Sequence, residues 1–422
     1  MAKAFNFVHA ADLHLDSPFL GLQEVDQHVL TELREATFRT FDRIVDLCLE
    51  RGADFLLVAG DIYDSRDRSL RAQLRFRDGL KRLTDAGISS FVVHGNHDPL
   101  DSWAATLEWP ERAHLFGGKR VTGVPVVRNG ETIAYVHGIS YPTQEVRRNL
   151  AKEFRRTDDG SFAIGLLHCN VGEDTGHEPY AQCSLEDLTR AGMDYWALGH
   201  VHNPRIISQE KPMAVYPGNP QGRHPRELGA RGCYVVNVDD EGRPTAEFVP
   251  VDTIRWFWES VPIGELGSDE ALVRVVEGAC QRVREQADRR PAVGRITVIG
   301  HGPVHRSLMR PGFVEELLQR VRETEGSEDP FVWIERIDVA TRPPVDVEAR
   351  RSGQDFVADL LSLVQGYRVN SELLQSLRKQ LEPLFLSRRA YRLLESPTDE
   401  ELGEWLEEAE RVCLDLLVTE ED

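Results

Sequence analysis

Five short segments of this 422-residue chain concentrate side chains able to hold a cation. They are Asp12-Leu13-His14, Gly60-Asp61-Ile62-Tyr63-Asp64, Gly95-Asn96-His97-Asp98, Leu166-Leu167-His168 and Gly199-His200-Val201-His202. Asp, Asn and His offer oxygen and imidazole donors, a set that suits manganese, iron or zinc, whereas calcium prefers oxygen throughout. Taken singly, a Gly-Asp or a His-x-His is more often a turn or a surface pair. Five in series, each at the end of a short apolar run, point to one assembled centre. Alternation within Asp12-x-His14 and His200-x-His202 would send both side chains of each pair into one site, and Gly60, Gly95 and Gly199 would let the backbone turn sharply beside it.

Such a centre needs elements to aim it. Strand candidates are Phe5–His9, Phe55–Ala59, Phe91–His94, Ile133–His137, Ala163–His168, Tyr195–Gly199 and Tyr234–Val238, with helical patterns at Val29–Glu50, Leu70–Asp85 and Leu185–Ala191. This alternation predicts an α/β sheet flanked by helices, with chemistry in the loops at the strands' carboxyl ends. From about Thr245 the texture changes. A strand-like stretch Phe248–Val261, a helix 269–287, a strand 295–300, a helix 311–324 and a strand 331–340 suggest a small α+β domain, left through Thr341-Arg342-Pro343-Pro344. The remainder reads as helical. Phe356, Leu360 and Val364 share one face; so do Leu373, Leu377 and Leu381 before Pro383 interrupts; and Thr398 with Glu401 forms a capping box for a last helix carrying Leu402, Trp405 and Leu406. The expected domains are 1–245, 246–344 and a helical tail 345–422.

Composition narrows the class. With 41% apolar and 28% charged residues the chain reads as globular. No apolar run approaches a membrane span and the first residues lack a signal-peptide pattern. Six scattered cysteines without a C-x-x-C pair fit reduced thiols in a cytoplasm. The net charge of −20 would seem to disfavour nucleic acid. Yet residues 395–422 hold twelve acids against Arg411, net −11, leaving −9 for the rest, and a metal-binding carboxylate cluster is itself acidic until occupied. Arg66–Arg82 is basic, so Arg71 and Arg75 are candidate phosphate contacts, as are Arg223 and Arg226 in the loop Pro217–Arg226. His9, His94 and His137 sit in or beside apolar runs and read as structural. His177-Glu178 is followed by Ala181, which excludes a zincin helix, and Gly117-Gly118-Lys119-Arg120 is no P-loop.

The series D-x-H, G-D-x-x-D, G-N-H-D, L-L-H, G-H-x-H resembles the calcineurin-like metallophosphoesterase superfamily. Val8–Phe19 resembles the start of its bacterial SbcD and YhaO type, relatives of the nuclease subunit of a double-strand-break repair complex. The resemblance implies a β-sandwich flanked by helices, then an α+β capping domain and the helical tail. It implies two divalent ions, most often Mn²⁺. One would be held by Asp12, His14 and His202, the other by Asn96, His168 and His200, and Asp61 would be shared to reduce the cations' repulsion. His97 would stabilise the transition state and protonate the leaving oxygen. Asp64 and Asp98 are outer-shell candidates. Relatives outside the bacterial type carry a His at position 64, so that histidine's role does not transfer. Ser65 before Arg66 departs from the protein-phosphatase G-D-x-x-D-R-G. The implied activity is a DNA phosphodiesterase, a 3′-to-5′ exonuclease with single-strand endonuclease activity. The implied partners are DNA and an SbcC-like coiled-coil ATPase docked on the tail, with a homodimer left open. A nucleotide or cyclic-nucleotide phosphodiesterase, or a non-catalytic DNA-end scaffold, are the alternatives.

Overall fold

The computed structural model describes residues 4–19, 26–64, 69–156, 160–172, 180–264, 266–344, 350–385 and 397–417. Ser65, Arg66, Arg68, His177, Glu178 and both limits of the expected docking segment (345 and 418) lie outside them. The chain divides into two compact units: Met1–Trp258 with Val283–Gly294 and Glu325–Glu335, and Glu259–Arg282 with Arg295–Thr324 and Arg336–Asp422.

In the first unit the elements run β1 (Phe5–Ala10), α1 (Gln27–Glu50), β2 (Phe55–Ala59), α2 (Leu70–Asp85), β3 (Ser89–Val93), β4 (Ala113–Leu115), β5 (Thr122–Arg128), β6 (Glu131–Gly138), β7 (Phe162–His168), α3 (Leu185–Arg190), β8 (Tyr195–Gly199), β9 (Arg205–Ser208), β10 (Met213–Tyr216), β11 (Gly232–Val238) and β12 (Pro244–Pro250). They build two six-stranded sheets, β12-β11-β1-β2-β3-β4 and β5-β6-β7-β8-β10-β9. β1, β2, β3 and β4 are mutually parallel, as are β6, β7, β8 and β10. Such strands need crossover connections, and α1 and α2 supply two of them.

The period-two alternation of strand side chains explains the layering. Phe5 and Phe7 of β1, with Phe55, Leu57 and Ala59 of β2, join Val136, Ile164, Leu166 and Tyr195 of the other sheet in one buried cluster. Phe7 and Phe55 stack there at 4.8 Å. The opposite parity, Val8, Ala10, Leu56 and Val58, packs on Phe38, Phe41 and Ile44 of α1 and Phe76 and Leu80 of α2. The outer face of the second sheet buries Trp196 and Leu198 beneath Leu150, Phe154 and Leu188. The result is the expected sandwich, helix–sheet–sheet–helix. Asp26 caps α1 by accepting from His28 N (2.7 Å), and Ser69 caps α2 by accepting from Ala72 N (3.0 Å).

The stretch Phe248–Val261 is two strands, not one. β12 ends at Pro250, and β13 (Arg255–Pro262) begins a three-stranded sheet with β14 (Ala292–His301) and β15 (Val332–Arg342). Gln221 makes the break: its Oε1 accepts from Thr253 N and Ile254 N, and its Nε2 donates to Ile254 O at 2.7 Å, so that backbone cannot enter a ladder. Strand β15 runs through Arg342, leaving only Pro343 and Pro344 of the expected linker outside it. Helices α4 (Asp269–Gln286), α5 (His305–Leu308) and α6 (Phe313–Glu325) accompany these strands.

The tail forms α7 (Phe356–Val369), α8 (Ser371–Phe385) and α9 (Asp399–Leu417). Their buried faces are rotated from those expected. Val357 and Leu361 of α7 pack on Leu414, while Phe356 is 68% exposed. On α8 it is Leu374 that is buried and Leu373 that is exposed, because the three helices pack on one another and each face is chosen by its neighbours. Pro383 does not interrupt α8, which continues to Phe385. The capping box on α9 is present: Thr398 N donates to Glu401 and Glu401 N to Thr398 Oγ1 (2.7 and 3.2 Å). No described helix is long and apolar enough to cross a membrane.

Candidate metal centre

The carboxyl ends of β1, β2, β3, β7 and β8 bring all five segments to one place. Asp12, His14, Asp61, Asn96, His168 and His200 are all buried. The loops are tied to each other before any side chain is considered: Asp12 N donates to Gly60 O and His14 N to Asp61 O, both at 3.0 Å. His200 N donates to both oxygens of Asp12 (3.1 Å each), and His97 N to Asp61 Oδ1 (2.8 Å).

Simple strand alternation does not aim the ligands. Asp12, His14, Asp61 and His200 all have positive φ (52°, 43°, 50° and 99°), a left-handed conformation costing roughly 1–3 kcal/mol per non-glycine residue. Four such positions in one cluster show that packing fixes these turns against local preference. Of the three glycines, only Gly60 has positive φ. Gly95 and Gly199 serve close approach instead: a Cβ on Gly95 would lie 2.3 Å from Asp61 Oδ1, and one on Gly199 would lie 1.8 Å from the Ala59 carbonyl oxygen.

The side chains form two linked groups. Asp12, His14 and His202 present ligand atoms within 4.8 Å of one another, as do Asp12, Asp61 and His168. Asp61 Oδ2 stands between them, 3.4 Å from His168 Nε2 and 4.0 Å from His14 Nε2. His168 Nδ1 donates to the Ala59 carbonyl (2.9 Å), which turns Nε2 toward Asn96 Oδ1 at 3.0 Å. His200 packs edge-on to His168 at 5.2 Å. Both ring nitrogens of His14 are buried without a hydrogen-bond partner. A buried imidazole left unsatisfied is costly, and a cation taken by one nitrogen removes the deficit. The donor set therefore fits a pair of divalent ions.

The electrostatics agree. Burial pushes the Asp12 carboxyl up to about 6 against the pull of His168 and His202. Burial would raise Asp61 too, but His168, His97 and His14 outweigh it and hold this carboxyl well below its usual range. For His168 burial disfavours the charge, and Asp61 and Asp12 override it, raising the imidazole to about 9. Burial and Arg223 hold His14 well below its ordinary value. Charges this strongly coupled are those an added cation would reorganise.

Four further residues hold the ligands. Asp98, buried, accepts from Ile62 N (3.0 Å), Gly95 N (2.7 Å) and His94 Nδ1 (3.2 Å), joining the second and third loops. Asp64 lies 3.2 Å from His97 Nδ1 and, with Asp61, raises that imidazole against burial. Arg223 is brought to the centre: Glu227, Asp64, Asp61 and Asp12 all act on its charge. Glu227, which sequence reasoning missed, accepts from His202 Nδ1 (2.6 Å), Arg223 N (2.7 Å) and His224 N (3.2 Å). Only its position four residues after Arg223 could have signalled it.

The other arginines lie elsewhere. Arg226 is exposed and its amide donates to His224 Nδ1 (3.1 Å). Arg71 pairs with Glu35 and lies over the Phe38 ring, Arg75 is 3.4 Å from Asp42, and Arg82 is 2.5 Å from Asp46. Much of the basic face of α2 is thus met by acids of α1. His9 is buried on Tyr195 (Nδ1 to OH, 3.0 Å) and His94 on Asp98, both in bracing positions.

Two sheets converging on a bridging aspartate and flanking imidazoles define a dinuclear metallophosphoesterase, and the comparisons agree. The calcineurin-like phosphoesterase family matches residues 5–204, and the family described as metallophosphoesterase YhaO, middle domain, matches residues 256–342. The chain belongs to the calcineurin-like metallophosphoesterase superfamily, in its YhaO/SbcD-type branch. It is 36% identical over 341 residues to the uncharacterized metallophosphoesterase YhaO of Bacillus subtilis (strain 168), covering 81% of this chain and 83% of that one. It is also similar to the DNA double-strand break repair protein Mre11 of Aeropyrum pernix: 30% over 280 residues, 62% of this chain and 64% of that protein. The SbcD component of the Bacillus subtilis nuclease SbcCD is 25% identical over 267 residues, 55% and 66% of the two chains. The protein is accordingly a phosphoesterase hydrolase of a family that uses a dimetal site.

Proposed function

We propose that the protein is a DNA phosphodiesterase, a 3′-to-5′ exonuclease with single-strand endonuclease activity. It would act in the cytoplasm with Mn²⁺ and with an SbcC-like ATPase. The observation that carries the reading is the placement of Asp61 between His14 and His168, one imidazole from each ligand group. Asp12, His14 and His202 would hold one ion, Asn96, His168 and His200 the other, with Asp61 shared. When bound, such a pair polarises the phosphate and lowers the pKa of an attacking water. His97, oriented through Nδ1 by Asp64, would direct Nε2 at the substrate and deliver a proton to the leaving oxygen. Arg223 would hold a non-bridging phosphate oxygen; Arg226, and Arg71 and Arg75 once released from their acids, would meet the strand further out.

The similarity to Mre11 and to the nuclease SbcCD supports DNA as substrate, and the latter supports an ATPase partner. The tail would dock that partner through the exposed stripe of Phe356 and Leu363 (57% exposed). The test is hydrolysis of end-labelled DNA beside bis-p-nitrophenyl phosphate and cyclic nucleotides, with and without Mn²⁺. Mn²⁺-dependent shortening from the 3′ end is expected. Turnover of cyclic nucleotides with no DNA cleavage would overturn the reading.

A further inference from the structure

Between the metal loop and the start of α1 lies a pocket of about 340 Å³. Its lining includes Ser17, Phe19, Leu30, Leu33, Arg34 and Arg71, all in the first compact unit. Three features show what it is built to take. Phe19 is half-buried and held nearly parallel to Trp256 (centroids 6.3 Å, 19°), so an aromatic ring stands fixed in the wall. Ser17 is only 5% exposed, yet its Oγ has no hydrogen-bond partner. A buried hydroxyl of this kind awaits a group that can donate to it or accept from it. Arg34 is exposed and has no carboxylate partner among the described residues, whereas Arg71 is engaged by Glu35 and by Asp16 at 3.9 Å. One cation is thus left for an anion from outside.

A flat apolar wall, one buried hydroxyl and one unengaged guanidinium match a nucleobase with its neighbouring phosphate. An aliphatic ligand would leave Ser17 and Arg34 unused. The distance also fits. Ser17 N donates to the carbonyl of His14 at 3.2 Å, and three residues of chain span at most about 11 Å. That is on the order of one to three nucleotides along a strand.

We propose that this pocket is a nucleobase subsite for the strand being cleaved, near the metal centre, with Arg34 on the flanking phosphate. It rests on the DNA reading above and adds a binding site to it. The base stacks beside Phe19, Ser17 Oγ bonds its edge, and register on the strand is set here before hydrolysis.

The experiment uses the full chain and the variants Leu30→Trp, which fills the pocket, and Arg34→Glu. Deoxyadenosine 5′-monophosphate and inorganic phosphate are titrated by calorimetry in Mn²⁺, and bis-p-nitrophenyl phosphate hydrolysis is followed in parallel. Loss of one stacked base should weaken the nucleotide about tenfold in Leu30→Trp, while phosphate affinity and small-diester turnover stay within about twofold. Arg34→Glu should weaken a 12-mer oligonucleotide more than the mononucleotide. Equal nucleotide affinity in wild type and Leu30→Trp overturns the subsite, as does a parallel fall in phosphate affinity. A wild type that binds the nucleotide through the pocket but leaves DNA intact overturns the DNA reading instead.

Discussion

Replacing Glu227 by Gln isolates the contribution of a residue that would touch no ion. Its two oxygens divide the work: Oε1 accepts from His202 Nδ1 at 2.6 Å, and Oε2 accepts from the amides of Arg223 and His224 at 2.7 and 3.2 Å. Burial works against the charge, but His202 and Arg223 bring this carboxyl down to about 2, so it is ionised at any working pH. Glutamine keeps the shape and supplies only one acceptor oxygen. Either His202 or the two amides must then face an NH₂ donor. Outer partners of a ligating histidine typically contribute 10- to 100-fold in metal affinity, about 1.4–2.7 kcal/mol. Calorimetric titration of stripped protein with Mn²⁺ should show that loss in the ion held by His202, with the ion held by His168 and His200 nearly unaffected. Unchanged affinity for both ions would refute the argument, because His202 would then need no orientation from Glu227.

Four other outcomes are expected. Asp61→Asn should lose both ions, since a neutral amide bridges cations poorly; elemental analysis showing two retained ions would contradict it. His97→Ala should keep metal content and lower turnover on the order of 10²-fold, whereas parallel loss of metal would make His97 a ligand. His9 is held neutral, at about 3, chiefly by burial. The unfolded chain binds a proton there below about 6.5 and the folded chain does not, so His9 removes about 1.4 kcal/mol of stability per pH unit as pH falls from 6.5 toward 3. His9→Gln should flatten that slope by this amount in chelator-treated denaturant unfolding, and an unchanged slope would show that His9 charges in the fold. Finally, Phe356→Glu with Leu363→Glu should weaken association with an SbcC-like ATPase at least about 30-fold, as expected for a central apolar anchor, while small-diester hydrolysis persists. Full-affinity capture of the variant would place the interface elsewhere.

The sequence alone was sufficient for the strands, the helices and the ligand types. Each strand of the sandwich buries both faces or alternates cleanly, so its apolar run has the length and period of the element it becomes. A metal centre needs particular donor atoms, which cannot be disguised by context. Asp12, His14, Asp61, Asn96, His168, His200 and His202 were therefore legible as a set. Packing decided what these local signals do not encode. Left-handed turns at Asp12, His14, Asp61 and His200 are disfavoured by their own residue types and are held by loop-to-loop hydrogen bonds between distant segments. Gln221 breaks an apparently continuous strand from thirty residues away, and the tail helices bury faces chosen by one another. Glu227 and Asp98 matter because of which donors surround them, and Arg34 differs from Arg71 only in having no acid opposite it. A carboxylate's function in these positions is a property of its neighbours, and neighbours exist only once the chain has folded.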